Sequence, residues 1–403
     1  MSDPARSAFA RLRELLDGVP APAGADPVQL HLGESRLARP ATVARPSPDA
    51  EGWTRYPRPG GPAALRAAYA GWLERRFGVR AAGPDGVPGA GPDGVRCEPT
   101  PGTKQAVAVA IALAAARQRG GDAAPVVVLP NPYYPTYRAA AEAAGARPAY
   151  YTLDDPGDMA PVEAALRAAG GRAAALVVCN PGNPRGEILP ARSLTRLSEL
   201  AAAAGAWLLV DECYTDVWLE APPPGYLALA ASGAAQPVPH LVLHSLSKRS
   251  GAPGLRSGFV AGDAASVAAY AGYNRACGVS TADPVAAVAA ALWADDAHVD
   301  AARRALAANW DLADELLRDL PGYRRAEAGF FLWLPVADGE EAARRAWREA
   351  GDSVMPGRYL AAGDPDGVNP GTGFVRVALV HDGTVMREAL TRLRAAWALT
   401  ATA

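Results

Sequence analysis

Residues Ala174–Tyr214 read AALVVCNPGNPRGEILPARSLTRLSELAAAAGAWLLVDECY, and this stretch decides the fold. It holds two short apolar runs, Ala174–Cys179 and Trp207–Val210, with an Ala/Leu/Arg-rich stretch of helical length, 192–204, between them. An apolar run this short, without polar alternation, is covered on both faces, as parallel strands under helices are. Each run stops at a polar residue, Asn180 and Asp211. The same grammar continues in both directions. Upstream, Val126–Leu129 ends at Pro130; downstream, Leu241–Leu243 ends at His244-Ser245 and Phe259–Ala261 follows. The helical stretches 104–119, 136–145 and 160–169 fill the remaining gaps. The alternation predicts an α/β domain around a largely parallel sheet, with its polar motifs collected at the carboxyl ends of the strands, where open sheets bind ligands.

After about residue 285 the pattern changes. Helical stretches 285–318, 339–350 and 384–397 surround short strands at Phe330–Leu334 and Phe374–Leu379, which predicts a smaller α+β domain. We expect residues 50–285 to form the large domain, and 1–49 with 286–403 the small one. Residues 81–95, AAGPDGVPGAGPDGV, carry Gly-Pro-Asp-Gly-Val twice and predict an inserted surface loop.

Composition excludes several functions. The chain has 403 residues, 50% of them hydrophobic, and a formal net charge of -2, so no basic face is available for nucleic acid. The longest Ala/Val/Ile/Leu run, Ala106 to Ala116, is too short to span a bilayer. The start of the chain lacks the pattern of a signal peptide, and Cys97, Cys179, Cys213 and Cys277 show no paired spacing. A cytoplasmic protein without disulfides or a metal site is expected. No GxSxG elbow or P-loop occurs. Lysine occurs only at Lys104 and Lys248; every other basic residue is arginine. Any chemistry that needs an amine therefore has two candidates.

Lys248 lies in Ser245-Leu-Ser-Lys-Arg-Ser-Gly-Ala-Pro-Gly-Leu-Arg256, between the hydroxyls of Ser245 and Ser247 and eight residues before Arg256. A Schiff-base lysine beside hydroxyls and a bidentate Arg suits a phosphorylated aldehyde; the alternative is a solvated turn. Asp211, at a strand end, can pair with a protonated pyridine nitrogen, or can serve as a helix cap or metal ligand. Tyr214 and the turn residue Asn183 can each bond a ring oxygen. Gly102-Thr103-Lys104 opens a helix, whose free amides suit phosphate; Lys104 is the rival Schiff-base lysine. The aromatic segment Asn131–Tyr137 can stack on a planar ring, or is half-buried packing. Arg376, alone on an apolar strand, suits a bidentate carboxylate, or is an edge-strand arginine.

In order and spacing these motifs resemble the fold-type I, class I/II aminotransferases that use pyridoxal 5′-phosphate (PLP), from Leu32-Gly33 to Arg376. The resemblance implies a mostly parallel seven-stranded sheet flanked by helices, plus a smaller α+β domain. It implies that Lys248 holds the cofactor aldehyde and then moves the proton. Asp211 would hold the pyridinium, Asn183 and Tyr214 the ring hydroxyl, and Tyr134 the ring face. The Gly102-Thr103 amides, Ser245, Ser247 and Arg256 would hold the phosphate, with Lys104 on the phosphate side. Tyr56 would reach the phosphate of a neighbouring subunit, which implies a homodimer with shared sites. Arg376, with Gly33, would clamp the substrate α-carboxylate.

Finer wording, such as His244-Ser-Leu-Ser-Lys-Arg-Ser250, Ser257-Gly-Phe-Val-Ala-Gly-Asp263 and Gly367-Val-Asn-Pro-Gly371, resembles the succinyldiaminopimelate aminotransferase branch. That branch moves an amino group between glutamate and N-succinyl-2-amino-6-oxopimelate in two half-reactions. Its substrate has a remote carboxylate, for which Arg275 is the candidate cation and Arg58 the rival. Arg185, Lys104 and the 81–95 loop depart from the family pattern. Class I/II enzymes with other donors (acetylornithine, branched-chain or aromatic) and PLP-dependent lyases share the cofactor residues. A transcription regulator on this fold would need an N-terminal DNA-binding domain, for which the motif order leaves no room.

Overall fold

The computed structural model describes residues 7–24, 26–44, 51–81, 95–118, 120, 123–364 and 366–398. The repeats of the 81–95 stretch lie outside the described residues; its ends, Ala81 and Val95, form an isolated parallel bridge.

Twelve strands are described. β1, Val28–Gln29, pairs in parallel with β10, Asp352–Ser353. The main sheet has seven strands: β2 (Arg96–Thr100), β3 (Val126–Pro130), β4 (Arg147–Tyr151), β5 (Ala173–Cys179), β6 (Trp207–Asp211), β7 (His240–Ser245) and β8 (Gly258–Gly262). Their spatial order is β2-β8-β7-β6-β5-β3-β4. β3 to β7 run parallel, and β8 is antiparallel to both of its neighbours. A three-stranded antiparallel sheet places β12 (Phe374–Ala378) between β11 (Met355–Pro356) and β9 (Phe331–Pro335).

Alternate residues of the main strands feed two separate cores. Val126, Val128, Leu176, Val178, Leu208, Val210 and Val242 pack with Leu166, Leu197 and Trp72 on one face. Val127, Leu129, Ala175, Val177, Leu209, Leu241 and Leu243 pack with Ile111, Tyr137 and Tyr270 on the other. A sheet covered on both sides explains why these strands read as continuous apolar runs.

The apolar pattern predicts five strands of this sheet and passes over β2 and β4. Both are edge strands, and each carries a proline, Pro99 and Pro148, which an edge tolerates because one side of it has no ladder to complete. The 285–318 stretch is two helices, Asp283–Ala294 and Ala297–Leu317. The break falls at Asp295-Asp296, where Asp295 Oδ1 accepts from the Ala297 amide at 2.9 Å.

A third core joins the N-terminal segment to the C-terminal part of the chain. Trp310, Leu317, Leu332, Val375, Val377 and Leu390 are buried around the small sheet with Leu30. The helix Ala8–Leu16, capped by Ser7, buries Ala8 and Leu12 against Met355, Tyr359 and Leu360.

Candidate active site

The carboxyl ends of β5, β6 and β7 open into a cavity of about 1490 Å³, closed on its far side by the 32–34 segment, Phe331 and Arg376. The chain leaves β7 at Ser245, whose Oγ accepts from the Ser247 amide at 3.0 Å and caps the short helix Leu246–Arg249. That cap turns Lys248 into the cavity. Its Nζ donates to the Gly33 carbonyl at 2.5 Å and lies 5.9 Å and 5.4 Å from the ring centroids of Tyr214 and Phe330. Burial lowers the Lys248 amine from 10.5 to about 8, and the Arg376 charge pushes the same way; Cys213, Glu34 and Asp211 oppose it. Gly33 has no room for a side chain: a Cβ there would lie 2.5 Å from Phe331 Cζ.

Asp211 ends β6 in the cavity wall. Its Oδ1 accepts from the Cys213 amide at 3.1 Å, and its Oδ2 accepts from the Tyr137 hydroxyl at 2.6 Å. Burial, with the Asp211 charge behind it, holds the Tyr137 phenol well above its usual range, so it stays a donor. Tyr134 caps the helix Pro135–Ala143 and meets Tyr137 edge-on at 5.6 Å.

Asn183 links the two sheets. Its Nδ2 donates to the Tyr214 hydroxyl at 3.2 Å, and its Oδ1 accepts from Arg376 Nη1 at 3.3 Å. Arg376 Nη2 donates to the His31 carbonyl at 3.0 Å, and its guanidinium lies 4.0 Å from the Phe331 ring centroid. Arg376 is 5% exposed, and its Nε has no partner. Burial brings its guanidinium down to about 10, and burial with the Arg376 charge takes His31 down to about 4. A buried cation with an unbonded N–H is costly unless an anion completes it.

A second anion site lies across the cavity. Gly102, at φ 94°, precedes the helix Thr103–Arg117, and a Cβ on it would lie 2.4 Å from Arg256 Nη2. Glycine is thus required for the guanidinium to lie against the helix start. Arg256 Nη1 donates to the Pro253 carbonyl at 2.8 Å, and Thr103 Oγ1 lies 3.1 Å from Cys213 Sγ. Ser245 and Ser247 line the same wall.

These groups fit PLP. A cation and helix-start amides suit its phosphate, a carboxylate held by a tyrosine suits its ring nitrogen, and a deprotonatable amine suits its aldehyde. The structure brings together Lys248, Asp211, Tyr214, Asn183, Thr103, Lys104, Tyr134, Ser245, Ser247, Arg256, Gly33 and Arg376 on that cavity, with Gly102 beside it. Tyr56 and Arg58 are exposed and do not line it. Arg275 is exposed on the helix Ala264–Ala276, where its charge acts on the Glu98 carboxyl and does not reach this chain's cavity. Arg185 turns away to the Leu153 carbonyl and Glu187.

Sequence reasoning missed Tyr137, three residues beyond the chosen Tyr134. A buried hydroxyl is the signal that separates them, and burial is not written in the aromatic run. His31 acts through its carbonyl, which no side-chain motif encodes. Among the described residues, no helix is long and apolar enough to cross a membrane, and no His/Cys/Asp/Glu cluster could hold a metal.

Comparison with known proteins agrees with this geometry. Residues 26–393 match the family model described as aminotransferase class I and II. The chain is 29% identical over 368 residues to the 4-dedimethylamino-4-oxo-anhydrotetracycline transaminase OxyQ of Streptomyces rimosus, covering 91% of this chain and 92% of that one. The crystal structure of an aminotransferase from Neisseria meningitidis Z2491 superposes with a TM-score of 0.86 at 30% identity, covering 97% of each chain. N-Succinyldiaminopimelate aminotransferase from Mycobacterium tuberculosis superposes with a TM-score of 0.80 at 26% identity, also over 97% of each.

Proposed function

The chain belongs to the class I and II aminotransferases, a PLP-dependent family, and from that premise we propose that it moves an amino group between N-succinyl-L,L-diaminopimelate and 2-oxoglutarate. The observation that carries amino-acid transamination is the unbonded Nε of the buried Arg376, on the same cavity as Lys248. The choice of substrate rests on the likeness to the M. tuberculosis enzyme and on a cavity of about 1490 Å³ whose lining runs out to the N-terminal helix.

When bound, PLP supplies an aldehyde that condenses with amines and a protonated ring that draws electrons away from the substrate α-carbon. The rest is done by this chain. Asp211, oriented by the Tyr137 hydroxyl, would hold the ring nitrogen. Asn183 and Tyr214 would hold the ring hydroxyl, and Tyr134 would pack on the ring. The 102–103 amides, Ser245, Ser247 and Arg256 would hold the phosphate, with Lys104 on the phosphate side. Arg376, oriented by Asn183 and the His31 carbonyl, would take the donor α-carboxylate; Gly33 lets the main chain approach. Lys248 Nζ would take up the α-proton of the donor; a lowered amine pKa suits that task near neutral pH. The keto acid product leaves, and a second oxo acid takes the amino group by the reverse sequence. The fully exposed Tyr56 is the residue through which a second subunit would share the site.

The test is the visible band of the purified holoenzyme, mixed separately with N-succinyl-diaminopimelate, glutamate, acetylornithine, valine and aspartate. Fastest bleaching by the first two supports the proposal. Faster bleaching by another donor keeps transamination and discards this substrate. The S. rimosus relative makes a bulky cyclic ketone the second acceptor to try.

A further inference from the structure

The cavity carries a cation that neither the motifs nor the cofactor uses. Arg11 lies on the helix Ala8–Leu16, between the two positions, Ala8 and Leu12, that anchor this helix. Its guanidinium carbon lies 3.8 Å from the centroid of the Tyr359 ring. Stacking leaves the planar N–H edge free and fixes its plane. No side-chain hydrogen bond or ion pair is made by Arg11 among the described residues, although most of the chain's arginines are paired.

The platform under it is rigid. The Tyr359 hydroxyl donates to Glu340 Oε1 at 2.6 Å, and Glu340 Oε2 accepts from Arg358 at 3.0 Å, so this carboxylate is already engaged. The following residue is tied to the cofactor wall: the Tyr133 amide donates to the Leu360 carbonyl at 2.7 Å. Asn131 brackets Ala362 with two hydrogen bonds of 3.1 Å. On its other side the same helix touches the α-carboxylate clamp, because Phe9 lies 6.1 Å from the ring of His31, whose carbonyl holds Arg376. One short helix thus runs from the clamp to a preoriented, unpaired guanidinium on the same cavity wall.

We propose that Arg11 is a specificity-determining residue that binds the remote carboxylate of the substrate while Arg376 binds the α-carboxylate. The inference rests on the reading of the substrate as an amino acid with a second, distant carboxylate. It assigns to Arg11 the role that the sequence alone assigned to Arg275.

The experiment compares two donors of equal length, 2-aminopimelate and 2-aminoheptanoate, which differ in a carboxylate or a methyl at the far end. The holoenzyme and its Arg11→Gln and Arg11→Lys variants are mixed with each, and kcat/KM is read for both. The wild type is expected to favour the dicarboxylate by roughly 10- to 100-fold, the worth of one charge-assisted hydrogen-bonded pair. Arg11→Gln is expected to collapse that ratio towards one through KM for the dicarboxylate, and Arg11→Lys to keep part of it. A wild type that prefers the dicarboxylate, with a ratio unmoved in both variants, overturns the assignment of Arg11. A wild type without that preference overturns the substrate reading first, and the inference with it.

Discussion

Lys248 gives a prediction in which the size of the response, not its sign alone, is decisive. Its amine sits at about 8, where an unburied lysine sits at 10.5. Only the neutral amine attacks an aldehyde. In apoenzyme the neutral fraction is about 9% at pH 7, half at pH 8 and about 91% at pH 9. The rate at which apoenzyme gains the visible band of bound PLP should therefore rise roughly tenfold between pH 7 and 9, about 5.5-fold up to pH 8 and about 1.8-fold from there to pH 9, with a plateau beyond pH 9. An ordinary lysine would give a rise of roughly 100-fold over the same interval, with no plateau. The assay is stopped-flow absorbance at saturating cofactor, with Lys248→Arg as the blank. A log-linear climb through pH 9 would refute the claim that burial and Arg376 lower this amine. Band formation in Lys248→Arg would move the role to Lys104.

Three further outcomes follow from the geometry. Arg376→Lys keeps a charge but loses the fork held by Asn183 and His31, so KM for every α-amino acid donor should rise roughly 10- to 100-fold; an unchanged KM places the carboxylate clamp elsewhere. Tyr137→Phe removes the 2.6 Å donor to Asp211 and should lower stability by about 1.5–3 kcal/mol, measured by urea unfolding of the apoenzyme, while the visible band of the holoenzyme weakens or shifts; unaltered unfolding and spectrum would show that this bond does nothing. Gly33→Ala drives a methyl into Phe331, the ring against which Arg376 rests, and should cost about 1–3 kcal/mol in melting experiments and raise donor KM together; a wild-type KM would mean that the 32–34 segment gives way freely.

How much of this was legible depends on what each residue reports. β3, β5, β6 and β7 are covered on both faces, so their own residues announce them. β2 and β4 are edges, and Arg96, Pro99 and Pro148 are acceptable only because of where the strands lie, which no local pattern states. The helix break at Asp295-Asp296 was hidden because the flanking Ala-rich stretches keep one composition across it. In the site, Lys248, Asp211, Asn183 and Arg376 stand at strand ends or alone on apolar strands, where a polar side chain needs a reason. Tyr137 differs from Tyr134 only in burial. Arg11 stands among other arginines in a chain with just two lysines, and only the stack on Tyr359 separates it from them. Arg275 carries no local signal of which way its helix faces, and the fold turns it toward Glu98.

The two hydrogen bonds that orient Arg376 reach across 193 and 345 residues, and the one from Lys248 across 215. The donor-binding edge is therefore not a property of either sheet. It exists only while the N-terminal segment, the β5 turn and β12 are in register with one another. Any carboxylate that binds there, at 100 times its Kd, resists the parting of these three pieces by about 2.7 kcal/mol. Protease cleavage near residues 17–24 should accordingly slow when such a ligand is added, without any contact between ligand and cleavage point. During synthesis the order is the same: the ribosome must pass residue 376 before an amino donor has anything to hold.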